Sequence, residues 1–328
     1  MSLKISIQLL IVTSLIVIVK NQIIIPEKIN NELLQTFNEW KAIYKKVYKT
    51  PGEEAVRRMI FGMNMMKITA NNDDPERTFE MKANYFADMT QGEFSMILGT
   101  RNVTMSGMRV LQEDDFVDDG SNTIRGPVSV TCGSCYAFSS AHVAAWHHCK
   151  KNGNQYINFS KQQLVDCSYR DNGCTNGWTS TASNYIATHG IAAEADYPYE
   201  SKKNKCMGRK LRDAKLYKPI SGTTRVEKNN EEAMKSALAE HGPLLIIIDG
   251  SSLAFYSSGV ITGKSCEHGT VNHAVILAAY KSGGSKGYWR VKNHWGADWG
   301  ENGYFNLEAF SPVDQGCLGI AGFPSYAY

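Results

Sequence analysis

All eight cysteines of this 328-residue chain lie between Cys132 and Cys317. An even number of cysteines concentrated in one region is typical of a disulfide-bonded domain that folds in an oxidising compartment. The residues before that region have to fold without such cross-links. The sequence therefore predicts two kinds of structure, an N-terminal part that ends near residue 110 and a disulfide-bonded part over residues 111–328.

The first 20 residues have the pattern of a secretory signal. A short basic start over residues 1–4 is followed by a mostly apolar run over residues 5–19. That run is shorter than the roughly 20 apolar residues that a membrane-spanning helix needs. A membrane anchor is the alternative, because no small-residue cleavage site follows Val19. We expect residues 1–20 to be a cleaved signal peptide, which directs the protein to the secretory pathway and then to the lysosome or the extracellular space.

The charge balance is too mild to indicate a polyanionic partner such as nucleic acid or an anionic membrane. The 35 basic and 32 acidic residues leave a net charge of +3, and the basic residues are scattered. A protein that binds nucleic acid or an anionic membrane normally carries a concentrated basic surface. With 43% hydrophobic and 20% charged residues, the chain has the composition of a globular protein. We expect a monomer that binds no nucleic acid and, in its mature form, no membrane.

Residues 31–90 have the spacing of a small helical module. Apolar residues such as Phe37 and Trp40 recur at helical intervals, the pattern breaks at Pro51, and it resumes over residues 53–72. A module of this size is too small to build a large core of its own. We therefore expect it to dock on the rest of the chain.

The predicted linker and cleavage zone covers residues 91–110. The surrounding stretch, residues 98–126, is polar and contains several glycines. Exposed polar segments are preferred sites of proteolysis. We expect the chain to be cut between about residues 104 and 114.

The disulfide-bonded part divides into a helical half and a strand half. Helical periodicity comes first, and apolar or alternating runs bounded by glycine-rich turns follow. The predicted helices cover residues 134–150, 159–167 and 178–189, and the predicted strands cover residues 244–248, 274–280, 288–293 and 304–310. This order is typical of an α+β protein with a binding cleft between two halves.

A Cys-Gly-Ser-Cys segment ends at Cys135, where the first helix of this part begins. A thiol at a helix N-terminus is favoured as the thiolate by the helix dipole and by exposed N–H groups, so Cys135 is a candidate nucleophile. One alternative is a redox pair with Cys132. Another is half of a zinc site that includes His147 and His148. A zinc site needs a second closely spaced ligand pair, which the other cysteines do not provide, so we expect no metal.

Two further residues favour the nucleophile over the redox pair. His273 stands at the start of a predicted strand, and Asn293 stands at the end of the next one. A histidine can accept the proton of a thiol, and a third polar group can orient the imidazole. His273 lies 138 residues after Cys135 and Asn293 lies 158 residues after it.

Together these motifs resemble those of the papain-like cysteine proteases, and in particular the cathepsin L type. The resemblance runs from about residue 33 to the end, and further matching segments are residues 163–167, 197–199, 242–243 and 255–260. It implies a fold with a helical half, a β-barrel-like half and an active site in the cleft between them. It also implies a cysteine endopeptidase that needs no cofactor, acts on proteins and peptides, and is made as an inactive precursor.

The resemblance implies a role for each site residue. Cys135 attacks the peptide carbonyl, His273 is its general base, and Asn293 accepts a hydrogen bond from the imidazole. An apolar pocket takes the substrate side chain two residues before the cut. The implied substrate-binding residues are Gly177, Trp178, Thr179, Val271, Ala274 and Trp295, of which Trp295 also covers the hydrogen bond between His273 and Asn293.

Two of the chain's departures from the family pattern concern the surroundings of the implied catalytic residues. Ser129 stands where the family has a glutamine that contributes to the oxyanion hole. Loss of one such donor can lower turnover by about 100- to 1,000-fold. An alternative function is therefore a catalytically weakened homologue that acts as a binding protein. His294 stands where the family has a serine, next to the implied catalytic asparagine.

The same resemblance implies three disulfides, which are Cys132–Cys174, Cys167–Cys206 and Cys266–Cys317. Cys135 then stays free, as a nucleophile must. The remaining cysteine, Cys149, lies on the same predicted helix about 21 Å from Cys135, which is too far for a bond between them.

The N-terminal part carries two motifs of cathepsin L-type propeptides. The first comprises Glu53, Arg57, Ile60, Phe61, Asn64, Ile68 and Asn72, and the second comprises Asn84, Phe86 and Asp88, with Lys82 in place of its leading glycine. The resemblance implies that this propeptide is an intramolecular inhibitor that occludes the cleft until it is removed.

Two sequons are candidate sites of N-glycosylation. Asn102 and Asn158 each begin an Asn-x-Ser/Thr sequence. Such sites are modified in secreted proteins when they lie on the surface.

Overall fold

The computed structural model describes residues 17–19, 22–24, 27–99, 132–282 and 287–328. Most of the predicted signal peptide, residues 100–110 of the predicted linker and cleavage zone, Asn102 and Ser129 lie outside these ranges.

The N-terminal part consists of short strands and two long helices. Its elements are β1 (Val17–Val19), β2 (Gln22–Ile24), α1 (Glu27–Ile43), α2 (Pro51–Asp73), β3 (Phe79–Met81) and α3 (Gln91–Ser95). Helices then precede most strands in the C-terminal part, whose elements are α4 (Cys135–Lys151), α5 (Lys161–Cys167), α6 (Thr179–His189), α7 (Gly208–Asp213), β4 (Thr223–Arg225), α8 (Glu231–His241), β5 (Leu244–Ile248), β6 (Tyr256–Ile261), β7 (His273–Lys281), β8 (Tyr288–Lys292), β9 (Tyr304–Glu308) and β10 (Ser325–Ala327).

α1 and α2 pack against each other through aromatic side chains. The rings of Phe37 and Trp40 on α1 lie 5.5 and 5.1 Å from the ring of Phe61 on α2, and all three are buried. α2 begins where the side chain of Thr50 accepts a backbone N–H of the first turn, and Pro51 fits there because that position needs no N–H donor. The break in the helical pattern at Pro51 is therefore the start of the second helix.

The strand half is an eight-stranded sheet with the order β3-β6-β9-β8-β7-β5-β10-β4. Neighbouring strands are antiparallel, except β6 and β9, which are parallel. β3 comes from the N-terminal part, which therefore docks by adding an edge strand to the sheet.

α4 is the central helix of the helical half, and most of its residues are buried. It packs against α5, α6 and the strands β5 and β7. Small residues such as Ala137, Ala141 and Ala144 allow these neighbours to approach closely, and all three are buried. The helical half and the sheet each enclose their own apolar cluster. This is the division into a helical half and a strand half that the sequence predicts.

Candidate active site

Cys135 is the first residue of α4, and it is buried. The preceding loop is held by the Cys132–Cys174 disulfide and by a 2.7 Å hydrogen bond from the Gly133 N–H to the Cys174 carbonyl oxygen. The side chain of Ser134 does not cap the helix. The thiol therefore lies at a helix N-terminus whose first N–H groups are not taken by that side chain.

His273 and Asn293 meet at one edge of two antiparallel strands. His273 begins β7, and Asn293 directly follows β8. Because β7 and β8 are antiparallel neighbours, the start of one lies beside the end of the other. His273 Nε2 is 3.0 Å from Asn293 Oδ1, and both side chains are buried.

The hydrogen bonds around Asn293 define the tautomer of the neutral imidazole. The backbone N–H of His294 donates to Asn293 Oδ1 over 2.9 Å, so the atom that receives it is an oxygen. His273 Nε2 faces the same oxygen and must carry a hydrogen. Among the described residues, no partner contacts the buried Nδ1 of His273. Neutral His273 thus presents the lone pair of Nδ1 as a base.

The thiol faces the start of β7. The backbone N–H of Ala274 lies 3.4 Å from Cys135 Sγ, which brings the sulfur next to the residue that follows His273. Burial raises the pKa of the Cys135 thiol and lowers the pKa of the His273 imidazole. Both shifts favour the neutral pair of thiol and imidazole while the site is covered.

The cover over this pair is the end of the described N-terminal part. The N–H of Gly177 donates to the Gly99 carbonyl oxygen over 3.2 Å, and the N–H of Gly99 donates to Cys135 Sγ. Leu98 is buried and lies close to Gly250. Residues 98–99 therefore run through the cleft directly over the thiol.

This docked segment extends past the predicted boundary at residue 90. The sequence predicts a linker over residues 91–110, whereas residues 91–95 form α3. Thr90 caps α3 and exchanges hydrogen bonds with Glu93 in a capping box, which explains why the helix begins there. The part of the predicted linker that the structure describes is thus an ordered portion of the inhibitory segment.

Trp295 connects this segment to the imidazole. Its ring stacks on His273 with centroids 4.7 Å apart and an interplanar angle of 26°. Phe86 and Phe94 of the N-terminal part also contact the indole edge-on, with ring centroids 5.5 and 5.2 Å from it. Trp295 therefore covers the imidazole, as the resemblance implies, and also serves as a docking surface for the N-terminal part. Trp299 donates its ring N–H to the Leu253 carbonyl oxygen and is a core residue.

Backbone contacts anchor the N-terminal part next to the cleft. Beyond the β3–β6 pairing, the N–H of Lys82 donates to the Phe255 carbonyl oxygen over 2.9 Å, and Asn84 Nδ2 donates to the Ala254 carbonyl oxygen over 2.7 Å. Asn84 is buried. The first residue of the second propeptide motif thus makes a direct bond to the C-terminal part.

The propeptide motifs hold the N-terminal part itself together. Arg57 contacts both carboxylate oxygens of Glu93 over 2.8 Å, and this pairing lowers the pKa of Glu93 to about 2. Asn64 donates to two backbone carbonyl groups of the segment that follows β3, and Asn72 exchanges hydrogen bonds with the backbone of Met81. Arg57, Asn64 and Asn72 on α2 therefore bind the chain that leads to the cleft.

Asp88, the last residue of the second motif, is buried within the N-terminal part. Its carboxylate pairs with the Lys46 ammonium over 2.8 Å and accepts the Tyr48 hydroxyl over 2.8 Å. A buried carboxylate needs such partners to remain charged. This small network joins the segment after α1 to the segment that crosses the active site.

The predicted substrate-binding residues lie on both sides of the thiol. Gly177 precedes α6, and a Cβ there would lie 2.7 Å from the ring of Tyr136, so only glycine fits. Thr179, Val271 and Ala274 are buried. Trp178 is half-buried and contacts Phe323 with ring centroids 6.1 Å apart. No sequence motif marks Phe323, which is far from Trp178 in the chain.

The cysteines pair as the resemblance implies. The three disulfides are Cys132–Cys174, Cys167–Cys206 and Cys266–Cys317, and Cys135 and Cys149 are free. Since Cys132 is bonded to Cys174, it does not form a redox pair with Cys135. In the described ranges, no group of three or more His, Cys, Asp or Glu side chains could hold a metal ion.

Two further observations concern the surface and the membrane. Asn158 is exposed, and its side-chain oxygen accepts a hydrogen bond from Lys161 Nζ. Among the helices that the structure describes, none is both long and apolar enough to cross a membrane.

The chain is similar to known proteins over most of its length. Residues 124–327 match the family described as papain family cysteine protease, and residues 37–94 match the cathepsin propeptide inhibitor domain. Digestive cysteine proteinase 3 of Homarus americanus is 34% identical over 311 residues, which cover 89% of this chain and 94% of that protein. Cathepsin K of Mus musculus is 33% identical over 319 residues, with 89% and 94% covered.

Solved precursor structures have the same fold. Digestive procathepsin L 3 from the larval midgut of Tenebrio molitor superposes with a TM-score of 0.76 and 30% identity, covering 90% of this chain and 98% of that one. Recombinant stem bromelain precursor superposes with a TM-score of 0.79 and 31% identity, with 90% and 98% covered. These similarities confirm the predicted papain-like fold with an N-terminal propeptide.

Proposed function

The chain belongs to the papain family of cysteine proteases and is a cysteine endopeptidase made as an inactive precursor, and we propose that Cys135 is its nucleophile, His273 its general base and Asn293 the residue that orients the base. One observation carries this assignment. Asn293 holds the Nε2–H of His273, so Nδ1, which has no partner among the described residues, is left as the proton acceptor, and the next residue, Ala274, directs its N–H at the sulfur of Cys135. The comparisons give no support to the alternative of a weakened homologue that acts as a binding protein.

The geometry supports a two-step hydrolysis. When the propeptide leaves, water reaches the site, and His273 Nδ1 takes the thiol proton to give a thiolate and an imidazolium. The sulfur of Cys135 then bonds to the peptide carbonyl carbon, and Nδ1–H passes its proton to the amine nitrogen as the C–N bond breaks. Water next attacks the thioester, and His273 accepts its proton and returns it to the departing sulfur. Asn293 keeps the Nε2–H bond throughout.

The oxyanion that forms in each step needs hydrogen-bond donors. The backbone N–H of Cys135 lies at the N-terminus of α4, where helix N–H groups have no intrahelical partner. Ser129 occupies the sequence position at which the family has a glutamine donor. We propose that the Cys135 N–H is the principal donor and that Ser129 lowers turnover relative to a glutamine.

Substrate selection rests on the two sides of the cleft. We propose that Gly177 binds the substrate backbone, since its N–H already binds the Gly99 carbonyl group of the propeptide. We propose that Trp178, Thr179, Val271 and Ala274 line an apolar pocket for the side chain two residues before the cut, and that Phe323, which contacts Trp178, adds a further wall. Because Trp178 and Phe323 contact each other, this pocket favours a side chain of moderate size, such as valine or leucine.

The organisation of the precursor follows from the same assignments. Residues 1–20 are the signal peptide, residues 31–90 with the docked extension to residue 99 are the inhibitory propeptide, and residues 111–328 are the peptidase. Cleavage between about residues 104 and 114 separates the peptidase from the propeptide. The three disulfides are typical of a protein that folds in the oxidising secretory pathway. We propose that the protein is a monomer whose destination is the lysosome or the extracellular space. Asn158, being exposed, is available for glycosylation.

An active-site titration tests the assignment. The precursor is processed at acid pH and treated with an irreversible thiol-directed epoxide, and the labelled residue is identified by mass spectrometry. The wild-type protein and Cys149→Ala should be labelled once, at Cys135, and should lose all peptide hydrolysis. Cys135→Ala should be neither labelled nor active. The proposal is wrong if a folded, processed protein is not labelled at Cys135 and hydrolyses no peptide. It is also wrong if the protein instead reduces insulin disulfides.

A further inference from the structure

His294 is packed among the elements that form the active site, and the mechanism above gives its side chain no part. The residue is buried, its ring stacks on Phe138 of α4 at 5.1 Å, and it meets the ring of His273 edge-on at 4.9 Å. An imidazole has hydrogen-bonding groups that a purely apolar filler lacks. Their partners therefore indicate what the ring does.

The ring of His294 is connected to the nucleophile through one residue. His294 Nε2 lies 3.2 Å from the Ala274 carbonyl oxygen, and since a carbonyl only accepts, this nitrogen carries the hydrogen. The N–H of Ala274 lies 3.4 Å from Cys135 Sγ. The ring of His294 thus binds the carbonyl group of Ala274, and Ala274 in turn donates its N–H to the sulfur of Cys135.

The backbone of His294 is connected to the base. Its N–H donates to Asn293 Oδ1 over 2.9 Å, and the same oxygen receives the Nε2–H of His273. The orientation of that N–H depends on where the buried ring is fixed. One residue therefore contacts both of the groups that position the catalytic pair.

From these contacts we propose that His294 is a positioning residue, whose ring Nε2–H holds Ala274 so that the Ala274 N–H keeps the sulfur of Cys135 next to His273. This inference rests on the proposed roles of Cys135 and His273. A hydrogen bond to sulfur favours the thiolate. Loss of the ring donor therefore makes the thiolate form at higher pH and slows turnover without changing how substrate binds.

Several ionisable groups surround the ring and bear on any dependence on pH. His273 faces it from β7, and His142 faces it from α4 and is itself close to Lys292 and to Lys161 of α5. Burial lowers the pKa of His294 to about 4. The ring is neutral above that pH, so the hydrogen bond to Ala274 is the connection that operates there.

Two amide variants separate the hydrogen bond from the ring. The amide nitrogen of glutamine reaches the position of Nε2, whereas that of asparagine reaches only the position of Nδ1. We expect His294→Gln to keep kcat within about twofold of wild type and His294→Asn to lower it about fivefold, the effect of one neutral hydrogen bond. KM should not change in either variant, because the contacts of the ring are with Phe138, His273 and the Ala274 carbonyl group. His294→Phe keeps the stack on Phe138 but lacks the donor, and it should behave like the asparagine variant.

Alkylation of Cys135 by iodoacetamide gives the second measurement, made on the processed enzyme over a range of pH. The acid limb of the rate profile should move to higher pH in His294→Asn and His294→Phe and remain in place in His294→Gln. Thermal unfolding of each precursor identifies a variant that has not folded. If either His294→Phe or His294→Asn does not fold, the other one supplies the comparison, because both lack the Nε2–H donor.

The remaining outcomes contradict either the positioning role of His294 or the proposed function. If glutamine and asparagine lower kcat equally, or if neither does, the ring donor does not position the pair. If the acid limb also moves in His294→Gln, the charge of the histidine and not its hydrogen bond matters, and the proposal is wrong. If the processed wild-type enzyme is neither alkylated at Cys135 nor active, the proposed function itself fails.

Discussion

Gly99→Ala should weaken the inhibition of the precursor by its own propeptide. Gly99 crosses the cleft with its N–H directed at Cys135 Sγ and its carbonyl group bonded to Gly177. A Cβ at this position would lie 2.6 Å from the Cα of Gly133 and closer still to the carbonyl group of Gly133. These are backbone atoms of the loop fixed by the Cys132–Cys174 disulfide, so they cannot move aside as a flexible side chain would.

The size of the effect follows from this overlap. Forcing one extra carbon into a tightly packed position costs about 1–3 kcal/mol. If the docked state bears that cost and the undocked state does not, the undocked fraction of the precursor rises about 5- to 150-fold. The matched control is Gly92→Ala on α3, where the nearest atom to an added Cβ is Thr90 Oγ1 at 3.9 Å.

The assay is the rate at which a thiol reagent labels Cys135 in the uncleaved precursor at neutral pH. A Cys135-reactive epoxide stops self-processing as it labels, so the initial rate reports the undocked fraction. Gly99→Ala should be labelled at least about fivefold faster than wild type, and Gly92→Ala at the wild-type rate. If the two variants are labelled equally fast, the cleft does not exclude a side chain at residue 99, and the described docking is wrong.

Three further predictions concern other parts of the site. Asn293→Ala should lower kcat of the processed enzyme about 10- to 150-fold in steady-state kinetics, because a hydrogen bond to the charged His273 contributes about 1.5–3 kcal/mol. Phe323→Ala should raise the preference for phenylalanine over valine two residues before the cut about tenfold, measured by competition between two fluorogenic peptides, because the pocket enlarges. The Arg57–Glu93 pair lowers the pKa of Glu93 to about 2, so its stabilising effect is complete above the ordinary carboxyl pKa and is lost as pH falls towards 2. As pH is lowered, Cys135 in the Arg57→Gln precursor should therefore become accessible to the thiol reagent at a higher pH than in the wild-type precursor.

Elements with a strong local pattern could be predicted from the sequence. α4 lacks glycine and proline and begins at Cys135, within one residue of the predicted start. β5, β7, β8 and β9 are apolar runs bounded by turns, and each was placed within about two residues of its observed ends.

Elements that depend on distant partners could not be predicted in this way. β4 and β10 have three residues each and exist because they pair with each other at one end of the sheet. β6 carries Gly259 with a φ of 93°, and a Cβ there would lie 2.6 Å from the Thr78 carbonyl oxygen. That glycine permits the close approach of the propeptide strand, which no local propensity reports.

The active site shows the same contrast. The proposed catalytic residues Cys135, His273 and Asn293 can be selected by motif and spacing, because each follows or begins a predictable element. The positions of Gly99 and Phe323 were not, since one depends on how far the propeptide docks and the other on a contact with Trp178, which is far from it in the chain. Interactions between segments that are far apart in sequence leave no periodic pattern.

The rate at which iodoacetamide alkylates Cys135, measured against pH before and after processing, tests the central claim most directly. In the precursor, the buried thiol should react slowly at all pH values at which the propeptide stays docked, because burial raises its pKa. In the processed enzyme, exposure of the pair to water should allow thiolate and imidazolium to form, and alkylation should be fast well below the ordinary thiol pKa of about 8.5. A processed enzyme whose Cys135 reacts only above about pH 8, or one in which His273→Ala leaves the profile unchanged, would contradict the assignment of Cys135 and His273 as a catalytic pair.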